Sequence, residues 1–194
     1  MKRFSVTLML LAFLSVVAVP AARAQGAGEA GVFAHYFDFR QADTQLVGLG
    51  GRVSFNTSRS VQIEGEVGYD FTRAFTERYS DGTSSVNFVR TDARMLDGLI
   101  GPKFQTTGRL RLFVTVKGGF THFDFSNTAA SIPGFTSELE NLRSSNVNPA
   151  IYPGAGIEGY FGALGLRVDI GDEIYFASGS HHNLRITAGP VIRF

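Results

Sequence analysis

The sequence contains no cysteine. Disulfide frameworks and thiolate metal centres are therefore excluded, and an exported form must be held by burial and backbone pairing alone. The sequence also lacks an excess of either charge: 18 Lys and Arg stand against 17 Asp and Glu. That balance gives no basic face for nucleic acid. Beyond the first two dozen residues no apolar run approaches the ~20 residues of a membrane-crossing helix. No stretch there keeps a helical period either. Neither absence excludes a membrane barrel, whose strands give a much weaker hydropathy signal. Glycine (23) and phenylalanine (18) are abundant instead, which with many turn clusters is an all-β composition.

Met1-Lys2-Arg3 is a short positive segment, and Phe4 to Val19 is apolar apart from Ser5, Thr7 and Ser15. Pro20 ends the run, and Ala22-Arg23-Ala24 fits a small-x-small cleavage pattern. The expected organisation is a signal peptide over residues 1–24, cut before Gln25, and one domain over residues 25–194. The processed chain would carry 15 basic and 17 acidic side chains, because Lys2, Arg3 and Arg23 leave with the peptide.

The strongest pattern lies at the other end. Leu184, Ile186, Ala188, Pro190, Ile192 and Phe194 alternate with Asn183, Arg185, Thr187, Gly189, Val191 and Arg193. A period of two is a strand with one apolar face. Seven further stretches precede it: 30–39, 46–55, 61–72, 95–104, 110–121, 150–161 and 164–174. The first is aromatic in both phases, so its facing stays open. In the others one phase is apolar and the other polar. The connections after the second, fourth and sixth are tight. Those from Arg73 to Arg94 and from Asp124 to Asn148 read as long polar loops. Ser80-Asp81-Gly82-Thr83 is the expected tip of one, Pro133-Gly134 a breaker in the other, and Thr136 to Leu142 a helical turn or two. Eight strands with alternating short and long connections predict an antiparallel up-and-down barrel.

Such a barrel buries its apolar face in a soluble protein and turns it to lipid in a membrane. Three features favour lipid. Phe55, Phe104, Phe161 and Phe194 fall on the apolar face at the short-turn ends of four strands, as an interfacial aromatic girdle requires. Arg52, Lys103, Arg111, Lys117, Arg167, Arg185 and Arg193 share the polar face with Glu64, Glu66, Asp97, Glu158 and Asp169. Both signs spread over many strands allow pairing inside a narrow lumen. The signal peptide places the chain outside the cytoplasm. Asp172 and His122 fall on the apolar phase, toward the long-loop rim where a charge facing lipid costs only ~0–1 kcal/mol.

This alternation with its terminal aromatic resembles the small eight-stranded bacterial outer-membrane β-barrels, OmpX-like and OmpA-transmembrane-domain-like. The closing residues Leu184, Ile186, Ala188, Pro190, Ile192 and Phe194 look like the β-signal read by the barrel-assembly machinery. The resemblance implies a Gram-negative outer membrane, periplasmic termini and extracellular long loops. It also implies lipid and lipopolysaccharide as surroundings, with a monomer as the expected state. Cofactors and metals are not expected, nor is a nucleic-acid partner. The polar face then reads as a charge-filled lumen that does not conduct, and the role as structural or as loop display toward an unidentified extracellular partner.

Other readings remain open at this level. One is OmpW-like passage of small hydrophobic compounds past Met95, Leu99 and Phe113. Another is a lipid-A-modifying enzyme, for which His122 with Asp124 and Ser126, or His181 with Ser178 and Ser180, supply residue types without a signature spacing. A third is a soluble periplasmic barrel that binds a ligand. The His181-His182 pair lacks a third ligand at a telling spacing and reads as solvated loop.

Overall fold

The computed structural model describes residues 27–80, 86–127, 136–137 and 147–194. The expected signal peptide, the Asp81-Gly82-Thr83 tip, the Pro133-Gly134 breaker and residues 138–142 of the expected helical turn lie outside them. Eight long strands form a closed barrel: β1 (Gly28–Phe39), β2 (Thr44–Asn56), β3 (Val61–Ser80), β4 (Val86–Gln105), β5 (Leu110–Asn127), β7 (Asn148–Phe161), β8 (Leu164–Phe176) and β9 (Ser180–Arg193). A two-residue strand, β6 (Thr136–Ser137), pairs with Tyr79 and Ser80 of β3. Thr136 and Ser137 are thus extended, where a helical turn was expected.

Every neighbouring pair of long strands is antiparallel, and β1 meets both β2 and β9, which completes the ring. No strand edge is left over in the wall, which is what a membrane-spanning sheet requires. Period-two alternation decides the rest. Val47, Leu49, Ile100, Leu112, Val114, Leu166 and Ile170 are all at least half exposed on the outer face. A contiguous apolar belt of that kind is incompatible with water and matches the lipid-facing band of a membrane barrel. The inner phase carries the charges and a set of aromatics. β1, ambiguous in sequence, turns Phe33, Phe37 and Phe39 inward.

The turns at one rim are tight. Gly162-Ala163 joins β7 to β8 directly after the Phe161–Leu164 pair, with Gly162 at a φ of +66° that a side chain rarely tolerates. Room inside is also made by glycine: a Cβ at Gly50 would collide with the Phe33 ring.

Of the stretch from Arg73 to Arg94, read from sequence as mostly a long polar loop, the described residues 73–80 and 86–94 are strand. β3 and β4 each run 20 residues. Their pairing slips between Asp70 and Arg73. This β-bulge moves the inward phase from even positions (Glu66, Asp70) to odd ones (Phe75), and so breaks the alternation that would have identified the strand. A membrane band ~25 Å tall needs only ~9–11 residues of tilted strand. The upper parts of β3, β4 and the 18-residue β5 therefore stand above it as a projecting sheet.

Candidate functional site

The site is the lumen, and it is layered. Nearest the short-turn rim, Glu29 of β1 and Glu158 of β7 meet Lys103 of β4, Arg111 of β5 and Arg193 of β9. Lys103 Nζ lies 2.9 Å from Glu158 Oε2 and 3.2 Å from Glu29 Oε2. Arg111 Nη1 lies 3.1 Å and Arg193 Nε 3.4 Å from Glu29 Oε1. Arg193 stacks over the Tyr160 ring.

The middle layer is balanced. Arg167 donates two parallel bonds to Glu64, at 2.5 and 3.0 Å, and a third from Nε to Asp169 at 3.0 Å. Arg52 donates to Asp169 at 2.7 Å and to Thr187 Oγ1 at 2.6 Å. Lys117 Nζ sits 2.7 Å from both Glu64 and Glu66. Forked guanidinium–carboxylate contacts are the strong geometry for desolvated charge. Phe113 lies 4.2 Å beneath Arg167, and Phe33 the same distance beneath Arg52, so apolar rings fill the space between ion pairs.

The third layer is rich in acid. Arg185 of β9 is fully buried and reaches Glu66 at 2.7 Å, Glu173 at 3.3 Å and Asp97 at 3.4 Å. Its Nε donates to His35 Nε2 at 3.0 Å. Because an arginine cannot give up its proton here, His35 Nε2 must be the acceptor and Nδ1 carries the ring proton. That Nδ1 faces Asp70 Oδ1 at 3.2 Å and Asp97 Oδ1 at 3.7 Å. His35, Asp97 and Glu173 bring ligand-type atoms within 4.8 Å of one another, a grouping that suits a metal by residue type. The Arg185 guanidinium contacts all three, so a cation already stands at that position.

From this layer upward the lumen becomes largely apolar, with Leu99 and Tyr152 reaching down beside the ion pairs. Phe37, Phe39, Leu46, Met95, Leu99, Phe123, Tyr152 and Tyr175 form one buried cluster. Phe39 stacks on Phe123 with ring centres 4.9 Å apart, and Tyr175 on His181 at 5.0 Å. The lumen is therefore not charge-filled throughout; aromatics close its long-loop end.

All twelve charged residues singled out in the sequence line the interior. Arg52 meets Asp169, Arg167 and Lys117 meet Glu64, Lys117 and Arg185 meet Glu66, Arg185 meets Asp97, Lys103 and Arg111 meet Glu158, and Arg193 meets Glu29. Four partners were missed. Asp70 and Glu173 stand on the polar phase of their strands, where extending the charge list would have found them. Glu29 precedes the expected start of its strand, and His35 lay in the ambiguous first stretch. Phe55, Phe104 and Phe161 are exposed at the short-turn rim. Phe194 is held there by backbone bonds with Gly28. Leu184, Ile186, Ala188, Pro190 and Ile192 occupy the outer face of β9, which pairs with β1 and β8.

Two of the residues considered for catalysis, Asp124 and His181, are engaged in other contacts. Asp124 accepts from exposed Arg94, and holds that guanidinium above its ordinary pKa chiefly through the hydrogen bond. His181 Nε2 lies 3.1 Å from the Ala177 carbonyl. His181 and His182 belong to β9 and not to a loop; His182 Nδ1 lies 2.6 Å from Asp172 Oδ2 on the outer phase.

A sequence-family model described as an outer membrane protein beta-barrel domain matches residues 9–187. No curated protein matches the sequence. Among solved structures, the chain is similar to Ail, the attachment invasion locus protein of Yersinia pestis, with a TM-score of 0.53 and 14% identity, covering 87% of this chain and 97% of that one. It is also similar to Neisserial surface protein A, with a TM-score of 0.54 and 7% identity over 86% and 96% of the two chains. OprG from Pseudomonas aeruginosa gives a TM-score of 0.52 and 10% identity over 88% and 98%. At such identities the likeness is one of fold.

Proposed function

The chain belongs to the outer membrane protein beta-barrel domain family, and from that premise we propose that it is a sealed barrel of the outer membrane that presents an extracellular sheet for contact with a partner outside the cell. The observation that carries this reading is the projection of β3, β4 and β5 beyond the lipid band. β2 pairs with β3 no further than Asp70, and β7 with β5 no further than Thr121. The upper strands thus leave the wall and rise on their own, with β6 laid on Tyr79 and Ser80. A rigid sheet positions a contact surface at less entropic expense than a flexible loop of equal length. The paired charges and the aromatic closure leave the lumen filled, which supports anchorage over conduction. The same filling weighs against passage of hydrophobic compounds, since Met95 and Leu99 are packed in the aromatic cluster and Phe113 lies under Arg167.

Planar-bilayer recording and a truncation test the two halves of the proposal. The purified barrel should give no large, stable single-channel currents. A variant in which a short turn replaces residues 76–90 should still assemble, migrate as a heat-modifiable band, and lose attachment of expressing cells to host or matrix surfaces. Stable conductance by the intact barrel would sink the sealed reading. Unchanged attachment by the assembled truncation would sink the display reading.

A further inference from the structure

The third layer of the lumen is short of cations. Lys117, 2.7 Å from both Glu64 and Glu66, joins Arg52 and Arg167 in matching Glu64, Glu66 and Asp169. That leaves Asp70, Asp97 and Glu173, all fully buried, with Arg185 as the guanidinium of their layer. Three carboxyl groups against one fixed cation leave two formal negative charges without a counterpart. Unmatched charge in a desolvated interior is the costliest arrangement a lumen can hold.

The unmatched atoms converge on one side of the His35 ring. Arg185 takes the other side, through Nε2 of His35, Oδ2 of Asp97 and Oε2 of Glu173. Away from it stand Nδ1 of His35, Oδ1 of Asp97 and both oxygens of Asp70, and all four atoms are buried without a hydrogen bond. Asp70 has no Lys or Arg beside it among the described residues. Its close neighbour is His35, whose Nδ1 lies 3.2 Å from Asp70 Oδ1 without the alignment of a hydrogen bond. Asp97 Oδ1 lies 3.7 Å from the same Nδ1, beyond the ~2.7–3.2 Å of a direct bond. Two ligands of one tetrahedral cation stand about 3.3 Å apart, so these separations suit a shared ion better than a direct contact. Gly68 leaves the space beside Asp97 Oδ1 open: a Cβ there would stand 2.3 Å from that oxygen.

We propose that His35, Asp70 and Asp97 form a buried site for one zinc-like divalent cation. An imidazole nitrogen among carboxylate oxygens favours such an ion over magnesium or calcium, which take all-oxygen shells. A dication cancels the two unmatched charges of the layer. On binding, the ring proton of His35 passes from Nδ1 to Nε2, so the imidazole stays neutral and no proton is released. Arg185 Nε then keeps Glu173 Oε2, 3.3 Å away, as its acceptor. The ion ties β1, β3 and β4 together beneath the aromatic closure. Asp70 is the last β3 residue before the bulge, so the tie sits at the root of the projecting sheet.

The test uses the full barrel, refolded in zwitterionic detergent with Zn²⁺ present because the lumen closes over the layer. Excess metal is removed by gel filtration, and retained zinc is measured by inductively coupled plasma mass spectrometry. One zinc per barrel is expected, with an unfolding midpoint in urea that rises with Zn²⁺ concentration. Asp70→Asn should weaken binding at least tenfold, and His181→Asn/His182→Asn, which removes the histidine pair at the long-loop rim, should leave it unchanged. No retained zinc, a midpoint indifferent to Zn²⁺, undiminished binding by folded Asp70→Asn, or binding lost with the His181/His182 pair overturns the proposal. Heat-modifiable migration verifies folding, and His35→Gln serves as the ligand variant if Asp70→Asn does not assemble.

Discussion

Replacing Arg185 by Met should be among the most damaging single changes in the barrel wall. The side chain is fully buried, and its guanidinium is the cation of the acid-rich layer. Met keeps the stem and most of the packing against Tyr152, and removes only the charge and its donors. Glu66 retains Lys117 at 2.7 Å. Asp97 and Glu173 retain no guanidinium, and His35 loses the donor on Nε2. Breaking a buried ion pair from one side costs about 3–5 kcal/mol, because the abandoned charge stays desolvated. With a slope of ~1–3 kcal/mol per molar urea, the unfolding midpoint should fall by about 1 M or more. Urea titration in phospholipid vesicles, followed by far-UV circular dichroism since the chain has no tryptophan, measures this. Adding Asp97→Asn and Glu173→Gln to the Met variant should recover most of the loss. A deficit under ~1 kcal/mol, or a triple variant no more stable than the single one, would refute the claim that Arg185 neutralises this layer.

Four further outcomes follow from other parts of the molecule. Arg94→Gln, which removes a half-exposed pair with Asp124, should change stability by only ~0–1 kcal/mol in the same urea assay. Phe123→Ala, which empties the centre of the aromatic closure, should cost ~3–5 kcal/mol and raise the rate of transient openings in planar-bilayer records; an unchanged record would show that the ion pairs alone seal the barrel. Gly50→Ala places a Cβ against the Phe33 ring and should cost ~1–3 kcal/mol, with partial rescue by Phe33→Leu. Deletion of Phe194 should reduce heat-modifiable, membrane-assembled protein more than it reduces export, and equal losses in both fractions would remove the case for an assembly signal at that residue.

Legibility in the sequence tracked the regularity of the pleat. Where one phase stayed apolar, as in Val61 to Phe71 or Leu164 to Ile170, outward and inward faces could be read residue by residue. The bulge after Asp70 erased that signal, since a one-residue slip turns Phe75 inward although the odd-numbered Phe71 before it faces outward. A long strand pair then looked like a loop. β1 hid its facing for another reason. Its inward residues Phe33, Phe37 and Phe39 pack as apolar lumen, while Val32, Ala34 and Tyr36 meet lipid or its interface, so hydrophobicity carries no phase information there. His181 read as solvated because side-chain type does not reveal a ring stacked on it across the strand pair. Individual partners within the lumen were out of reach for the same reason: Arg167 could be placed inside, but its choice of Glu64 over Glu66 depends on stagger between β3 and β8.

The placement of Arg185 also sets an order of events. It sits on β9, yet the carboxylates it neutralises belong to β3, β4 and β8, as many as 119 residues earlier in the chain. Until β9 docks between β8 and β1, a partly wound sheet carries Asp97 and Glu173 with no guanidinium beside them. Such a sheet cannot be stable with that face in hydrocarbon, where each exposed charge is penalised. Ring closure and charge cancellation are thus one step, and a barrel that has not finished closing is held at the water side until its last strand arrives.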